Sequence, residues 1–158
     1  MLTKHNQAHT FFETHVEPNL SAWSAQPIDI RLAMNAVVSL YHMADHFWHA
    51  YGSVDPIRVF GTSSAADFRK ELAVKNNHFA VLRDVAEAHK HMYLDRRTRV
   101  LTNSTQTAVG ATGFGEAGFD TGPYGGGTSI VVKLDDNSRH HLSYLTEKVR
   151  SLWITMLA

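Results

Sequence analysis

Eleven histidines in a chain of 158 residues make imidazole the first chemistry to consider, because it ligates metals and moves protons near neutral pH. Three of them, His42, His46 and His49, share the short stretch HMADHFWH with Asp45. On a helix, positions i, i+3, i+4 and i+7 fall within about 100° of one another, so these side chains project together. Two histidines four apart can share a metal ion, and a carboxylate beside them can ligate it or orient a ligand. His42, Asp45, His46 and His49 are therefore candidates for a divalent-metal site, zinc being the natural occupant. Read another way, they continue the polar face begun by Arg31, Asn35 and Ser39, which any amphipathic helix needs.

A second stretch, RDVAEAHKH from Arg83 to His91, carries different chemistry. Metal-free RNA cleavage needs a base for the ribose hydroxyl, an acid for the leaving oxygen and a cation against the charge on phosphorus. Arg83 suits bidentate phosphate contact, His89 suits proton transfer, and Asp84 suits orienting a neighbour. Six residues separate Arg83 and His89 by about 9 Å along a helix and by roughly 120° around it. They converge only through the reach of the arginine or across a dimer interface. The alternative for Arg83 is an i,i+4 ion pair with Glu87, and for His89 a hydrogen bond at the edge of the core. Lys90, His91, Arg96 and Arg97, with Arg99 beyond them and Tyr93 among them, form a basic cluster suited to a phosphate backbone. The same cations would also complement the dipole of a helix C-terminus.

The spacing of Arg83 and His89, R-x(5)-H with a polar residue directly after the arginine, resembles the signature of the HEPN superfamily, the higher-eukaryote and prokaryote nucleotide-binding domain. That resemblance implies a compact α-helical bundle, a homodimer, RNA or a nucleotide as partner, and metal-independent endoribonuclease activity without a cofactor. It implies Arg83, Asp84 and His89 as catalytic residues. The segments NAVVSLYHMADHFWH and RDVAEAHKHMYL are also similar to a group of small uncharacterised bacterial proteins, in which an N-A-x(5)-H-x-x-D helix precedes an R-D…K-H helix. Finally, H-x-x-D-H resembles the H-x-x-E-H of inverzincin metalloproteases, with Asp45 where that family has Glu.

One further motif is set aside. Gly113-Phe-Gly115-Glu-Ala-Gly118 matches G-x-G-x-x-G, but a dinucleotide site requires a strand before it and a helix N-terminus after it. The continuation FDTGPYGGG cannot start a helix.

The elements that must position these residues are mostly helical. Thr3 to Glu17 reads as a first helix, and Pro18 and Pro27 bracket a kinked continuation or a turn. Asp29 to Tyr51 reads as the central helix, ended by Gly52. At 100° per residue, Ile30, Met34, Val37, Tyr41, Ala44 and Trp48 make one apolar stripe, widened by Ala36, Leu40, Met43 and Phe47. Ser64 and Asp67 look like a capping box opening a third helix through Lys75. Asn77 is placed to cap a fourth, from His78 to about Arg96. Eight of the ten glycines then fall within a loop, residues 110–127. Thr128 to Ser143 reads as a β-hairpin turning at Asp135-Asp-Asn-Ser138, with a third strand available between Arg99 and Val109. A last helix carries Leu145, Val149, Leu152 and Met156. The expected fold is mainly α: a single domain, residues 1–158, of four to five helices with a C-terminal β-hairpin before the last.

Bulk composition is consistent with that. Fifteen Lys plus Arg balance fifteen Asp plus Glu, so no global field draws in nucleic acid or membrane, and any such partner must meet a local patch. The absence of cysteine excludes disulfides, thiolate zinc sites and thiol catalysis, and suits a reducing compartment. The N-terminal residues MLTKHNQAHTFFETH contain no apolar signal core, and no stretch approaches the ~18 apolar residues of a membrane span. The expected address is the cytosol. A non-catalytic module with a protein partner, one half of a defence or toxin–antitoxin pair, is the remaining alternative, with the glycine-rich loop as its recognition element.

Overall fold

The computed structural model describes residues 4–111 and 127–158. It opens with α1 (Lys4–Phe11), a π-helical turn (Phe12–Val16) and α2 (Glu17–Ala25), which follow one another without a break. The helix thus continues past Pro18, the continuation rather than the turn of the two alternatives the sequence allowed. A proline is tolerated in the first turn of a helix because its missing N–H has no ladder bond to lose there, and the π-helical turn creates such a start at α2. The Thr14 hydroxyl donates to the Thr10 carbonyl at 2.6 Å across this turn.

The long helix α3 (Ile30–Tyr51) begins where Asp29 Oδ1 accepts from the amides of Arg31 and Leu32, at 2.9 and 3.1 Å. Its apolar half buries Met34, Val37, Leu40, Met43, Ala44 and Phe47. A helix apolar over half its surface must be covered on more than one side, and α3 packs against all the other helices. Gly52 ends it with φ −55°, not in the left-handed conformation usual for a terminal glycine. Room explains the residue: a Cβ there would lie 2.8 Å from the Trp48 carbonyl oxygen and 3.0 Å from its indole.

After a 3₁₀ turn (Pro56–Val59), α4 (Ala65–Lys75) starts at Ser64, whose Oγ accepts from the Asp67 amide at 3.1 Å. Next, α5 (Asn77–His91) is capped by Asn76, one residue before the expected cap; its Oδ1 accepts from the Phe79 amide at 2.8 Å. The helix stops at His91, five residues short of Arg96, because Met92 takes a positive φ of 66° and breaks the ladder. From there the chain doubles back on itself. The Leu94 amide donates to Thr102 O at 2.7 Å and the Ser104 amide to Met92 O at 3.0 Å.

Three antiparallel strands follow in the order β1 (Thr107–Ala111), β2 (Thr128–Lys133), β3 (Arg139–His141). The expected hairpin and third strand are both present, the third starting at Thr107. Alternation points Ile130 and Val132 into the core. Asn137 closes the hairpin with φ 68°, a conformation asparagine tolerates better than most residues. The glycine-rich motif from Gly113 to Gly118 lies outside the described residues. Helix α6 (Leu142–Leu157) then returns into the bundle, with Leu145, Val149 and Trp153 buried. The Trp153 indole N–H donates to Leu40 O, in the middle of α3, at 2.9 Å. Among the described residues no helix is long and apolar enough to cross a membrane.

Candidate functional site

The Arg83–Asp84 pair is turned inward. Asp84 has no exposed surface. Its Oδ2 accepts from the Val100 amide at 2.6 Å, and its Oδ1 from Arg83 Nε at 3.0 Å and from Arg96 Nη2. Arg83 also donates through Nη2 to Thr98 O at 3.3 Å. Arg96 Nη1 donates to Glu87, whose other oxygen accepts from the Tyr41 hydroxyl of α3 at 2.6 Å. Burial raises the pKa of Tyr41 above its ordinary value, against the pull of the Arg69 guanidinium, which keeps the phenol a donor. Glu87 thus pairs with Arg96 rather than with Arg83. Asp84, Arg83 and Arg96 tie residues 96–100 to α5, and two of the expected catalytic groups, with one expected substrate contact, are committed to the fold.

A different convergence lies between the first helix, α3 and α5. His15 from the π-helical turn, His42 from α3 and His89 from α5 line one groove of about 290 Å³. Asn19, Asn35 and Ser39 add polar groups, while Phe11, Met34 and Val38 make its apolar part. His42 and His89 belonged to two separate sequence motifs and here share one space. The Ser39 hydroxyl donates to Ala36 O at 2.9 Å, and His15 Nδ1 meets the Thr14 hydroxyl at 2.8 Å. Phe11 is stacked on both faces, by His46 at 3.7 Å and by His15 at 4.7 Å between ring centroids. Burial under that ring lowers the pKa of His46; Asp45 opposes the shift, while His15, His42 and His49 add to it. His46 is therefore held towards the neutral form. An exposed pair of imidazoles on two helices can accept and donate protons on opposite sides of a bound molecule.

His15, Asn19 and Asn35 were not among the site candidates. His15 sits on the same turn as Phe11 and Phe12 and so looks like part of an apolar side; only folding brings it to α3 and α5.

The remaining candidates disperse. Asp45 pairs with Arg69 of α4, and His49 packs edge-on against Trp48, with ring centroids 5.2 Å apart. Among the described residues no group of three or more His, Asp or Glu side chains is arranged to hold a metal ion. Lys90, His91 and Arg97 are exposed at the end of α5 and just after it, beside the exposed Tyr93. Unlike Arg96 and Arg99, Lys90 and Arg97 enter no ion pair among the described residues. Comparison with protein-family models, curated proteins and solved structures finds no match for this chain.

Proposed function

We propose that this helical bundle binds RNA or a nucleotide and cleaves RNA without a metal, with the groove between the first helix, α3 and α5 as its active site. The observation that carries this reading is that His42 and His89, from different helices, line the same groove. One imidazole takes the proton of the ribose hydroxyl as it attacks phosphorus, and the other protonates the leaving oxygen, the two roles such cleavage requires. The Asn35 amide donates to the phosphoryl oxygens as negative charge builds on them. Lys90, His91 and Arg97 receive the flanking phosphates, and Tyr93 offers a face on which a base can stack. Arg83 and Asp84 are positioning residues in this scheme, because they hold the segment that carries Arg97. The HEPN resemblance points to the same class of substrate, with His89 retained in proton transfer and Asn35 taking the phosphate contact expected of Arg83.

The test is incubation of the purified chain with mixed RNA in EDTA. Cleavage yielding cyclic phosphate ends is expected, with a bell-shaped pH profile, and His42→Ala and His89→Ala should each slow it by about a hundredfold or more. Lys90→Ala and Arg97→Ala should weaken RNA binding and reduce its salt dependence. The groove is lined from a single chain, so the rate per molecule should not depend on dimer formation. Intact RNA, or cleavage that survives both histidine changes, removes the nuclease; RNA bound but uncleaved leaves only the binding half.

A further inference from the structure

A second cavity, of about 350 Å³, lies where the 3₁₀ turn Pro56–Val59, α4 and the end of α6 meet. Its walls include Phe47, Leu72, Leu152 and Met156. Arg58 and Lys75 also line it, and no acidic side chain does. Lys75 has a partner in Glu71 at 3.1 Å. Arg58 has no carboxylate partner among the described residues. Its guanidinium lies over the Tyr51 ring at 4.3 Å and over Phe47 at 5.7 Å, and Nη2 donates to the Met156 carbonyl. A guanidinium offers five N–H donors in a fixed fork, so most of this one is unspent. A half-buried charge against aromatic walls is costly without a counter-charge, and the described residues supply none.

The rim is unusual in a second respect. Phe60 is left-handed, with φ 57°, and Gly61 follows with φ 66°. A bulky residue in that region carries backbone strain that the surrounding structure must hold. The result is a phenyl ring left 40% exposed beside Ile57, which is 87% exposed. Two large apolar side chains facing solvent at the mouth of an apolar cavity suit an apolar ligand body.

We propose that this cavity binds a small organic acid with an apolar body. Its carboxylate pairs with the free edge of Arg58, with Lys75 adding charge at the rim. Its hydrocarbon or aromatic part lies on Leu152 and Met156, above the enclosed Phe47 and Leu72, and is covered by Phe60 and Ile57. Asn76, whose Oδ1 is taken by the cap of α5, presents its amide N–H groups as further donors. The site shares no lining residue with the histidine groove, so it stands independently of the nuclease reading.

Calorimetric titration with decanoate and naphthoate tests this, with decanol and decylammonium as neutral and cationic controls of matched apolar length. At least one of the acids should bind, with decanol at least tenfold weaker than decanoate and decylammonium without measurable binding. Arg58→Gln should weaken the acid at least tenfold. Because Arg58 also holds the Met156 carbonyl, a second variant leaves that bond alone. Ile57→Glu, at an exposed side chain, sets a like charge at the rim and should weaken the acid severalfold with an unchanged unfolding temperature. No binding of either acid overturns the proposal. So does equal affinity for decanoate and decanol, or undiminished affinity in a folded Ile57→Glu.

Discussion

Asp84 shows how a short motif can carry the right charges for two different purposes. An Arg–Asp dipeptide beside a histidine is equally the raw material of an active site and of a buried anchor, since both need a cation held against a carboxylate. What separates them is where the third partner comes from, and Arg96 arrives from twelve residues downstream in sequence, beyond the end of the helix. Periodicity cannot supply that information. Removing a carboxylate with no exposed surface strips the largely buried Arg83 of its counter-charge and the Val100 amide of its acceptor, while Arg96 keeps Glu87. Asp84→Ala should therefore cost about 3–5 kcal/mol in urea unfolding. In the same variant the Val100 amide should lose its protection against hydrogen exchange, while amides in the middle of α3 keep theirs relative to global unfolding. Asp84→Ala as stable as the parent would mean that the anchor contributes nothing. By contrast Arg97→Ala, at an exposed side chain, should change stability by less than about 0.5 kcal/mol.

At the level of elements, the sequence was legible wherever one local rule governed. The apolar stripe of α3, the cap at Ser64 and the recurrence of Leu145 and Val149 in α6 each follow from spacing alone. It misled where distant contacts decided. Nothing in His91-Met92-Tyr93 marks a helix end, since neither glycine nor proline is present; the turn at Met92 serves the return of Arg96 and Val100 to Asp84. At Pro18 the sequence left a kinked continuation and a turn open, and the π-helical turn directly before it decides for continuation. The histidine groove was half legible: His42 and His89 were singled out, but on separate grounds, and His15 was hidden in an apolar run. Asp29→Ala removes the acceptor for two α3 amides and should cost about 1 kcal/mol. Gly52→Ala must push its methyl against the Trp48 backbone and should cost about 1–3 kcal/mol despite alanine's better helix propensity, read as a lower thermal midpoint. A stabilised Gly52→Ala would show that the local backbone yields easily.

Over the whole molecule, opposite charges balance, so pH acts on stability through particular groups instead of through net repulsion. Three imidazoles are held below histidine's ordinary pKa of 6.5. His46 and His78 are shifted mainly by burial, the latter with help from Lys148 and His140, and His141 is shifted by burial alone. Each lowered value means the unfolded chain binds a proton more readily than the folded one. Above about pH 6.5 both states are neutral at these sites and nothing is lost. As pH falls below that value the unfolded state gains protons first and stability declines, levelling off once the folded pKa values are passed. The midpoint in urea should thus be lower at about pH 5.5 than at about pH 7.5. His141→Gln should flatten that dependence, because His141 is enclosed and, among the described residues, its ring meets the Ser129 hydroxyl at 2.9 Å and no charged partner. A midpoint that rises on acidification would contradict the assignment.

The bond from the Trp153 indole to the middle of α3 also gives the molecule an optical reporter. Trp153 and Trp23 are enclosed, and each indole N–H is taken by a carbonyl, of Leu40 and of Pro27. Only Trp48 is partly open to solvent. Ultraviolet emission from the folded chain should accordingly be blue-shifted and resist iodide quenching at two of the three fluorophores. A red shift would announce that α6 has parted from the rod it rests on, without any label being attached.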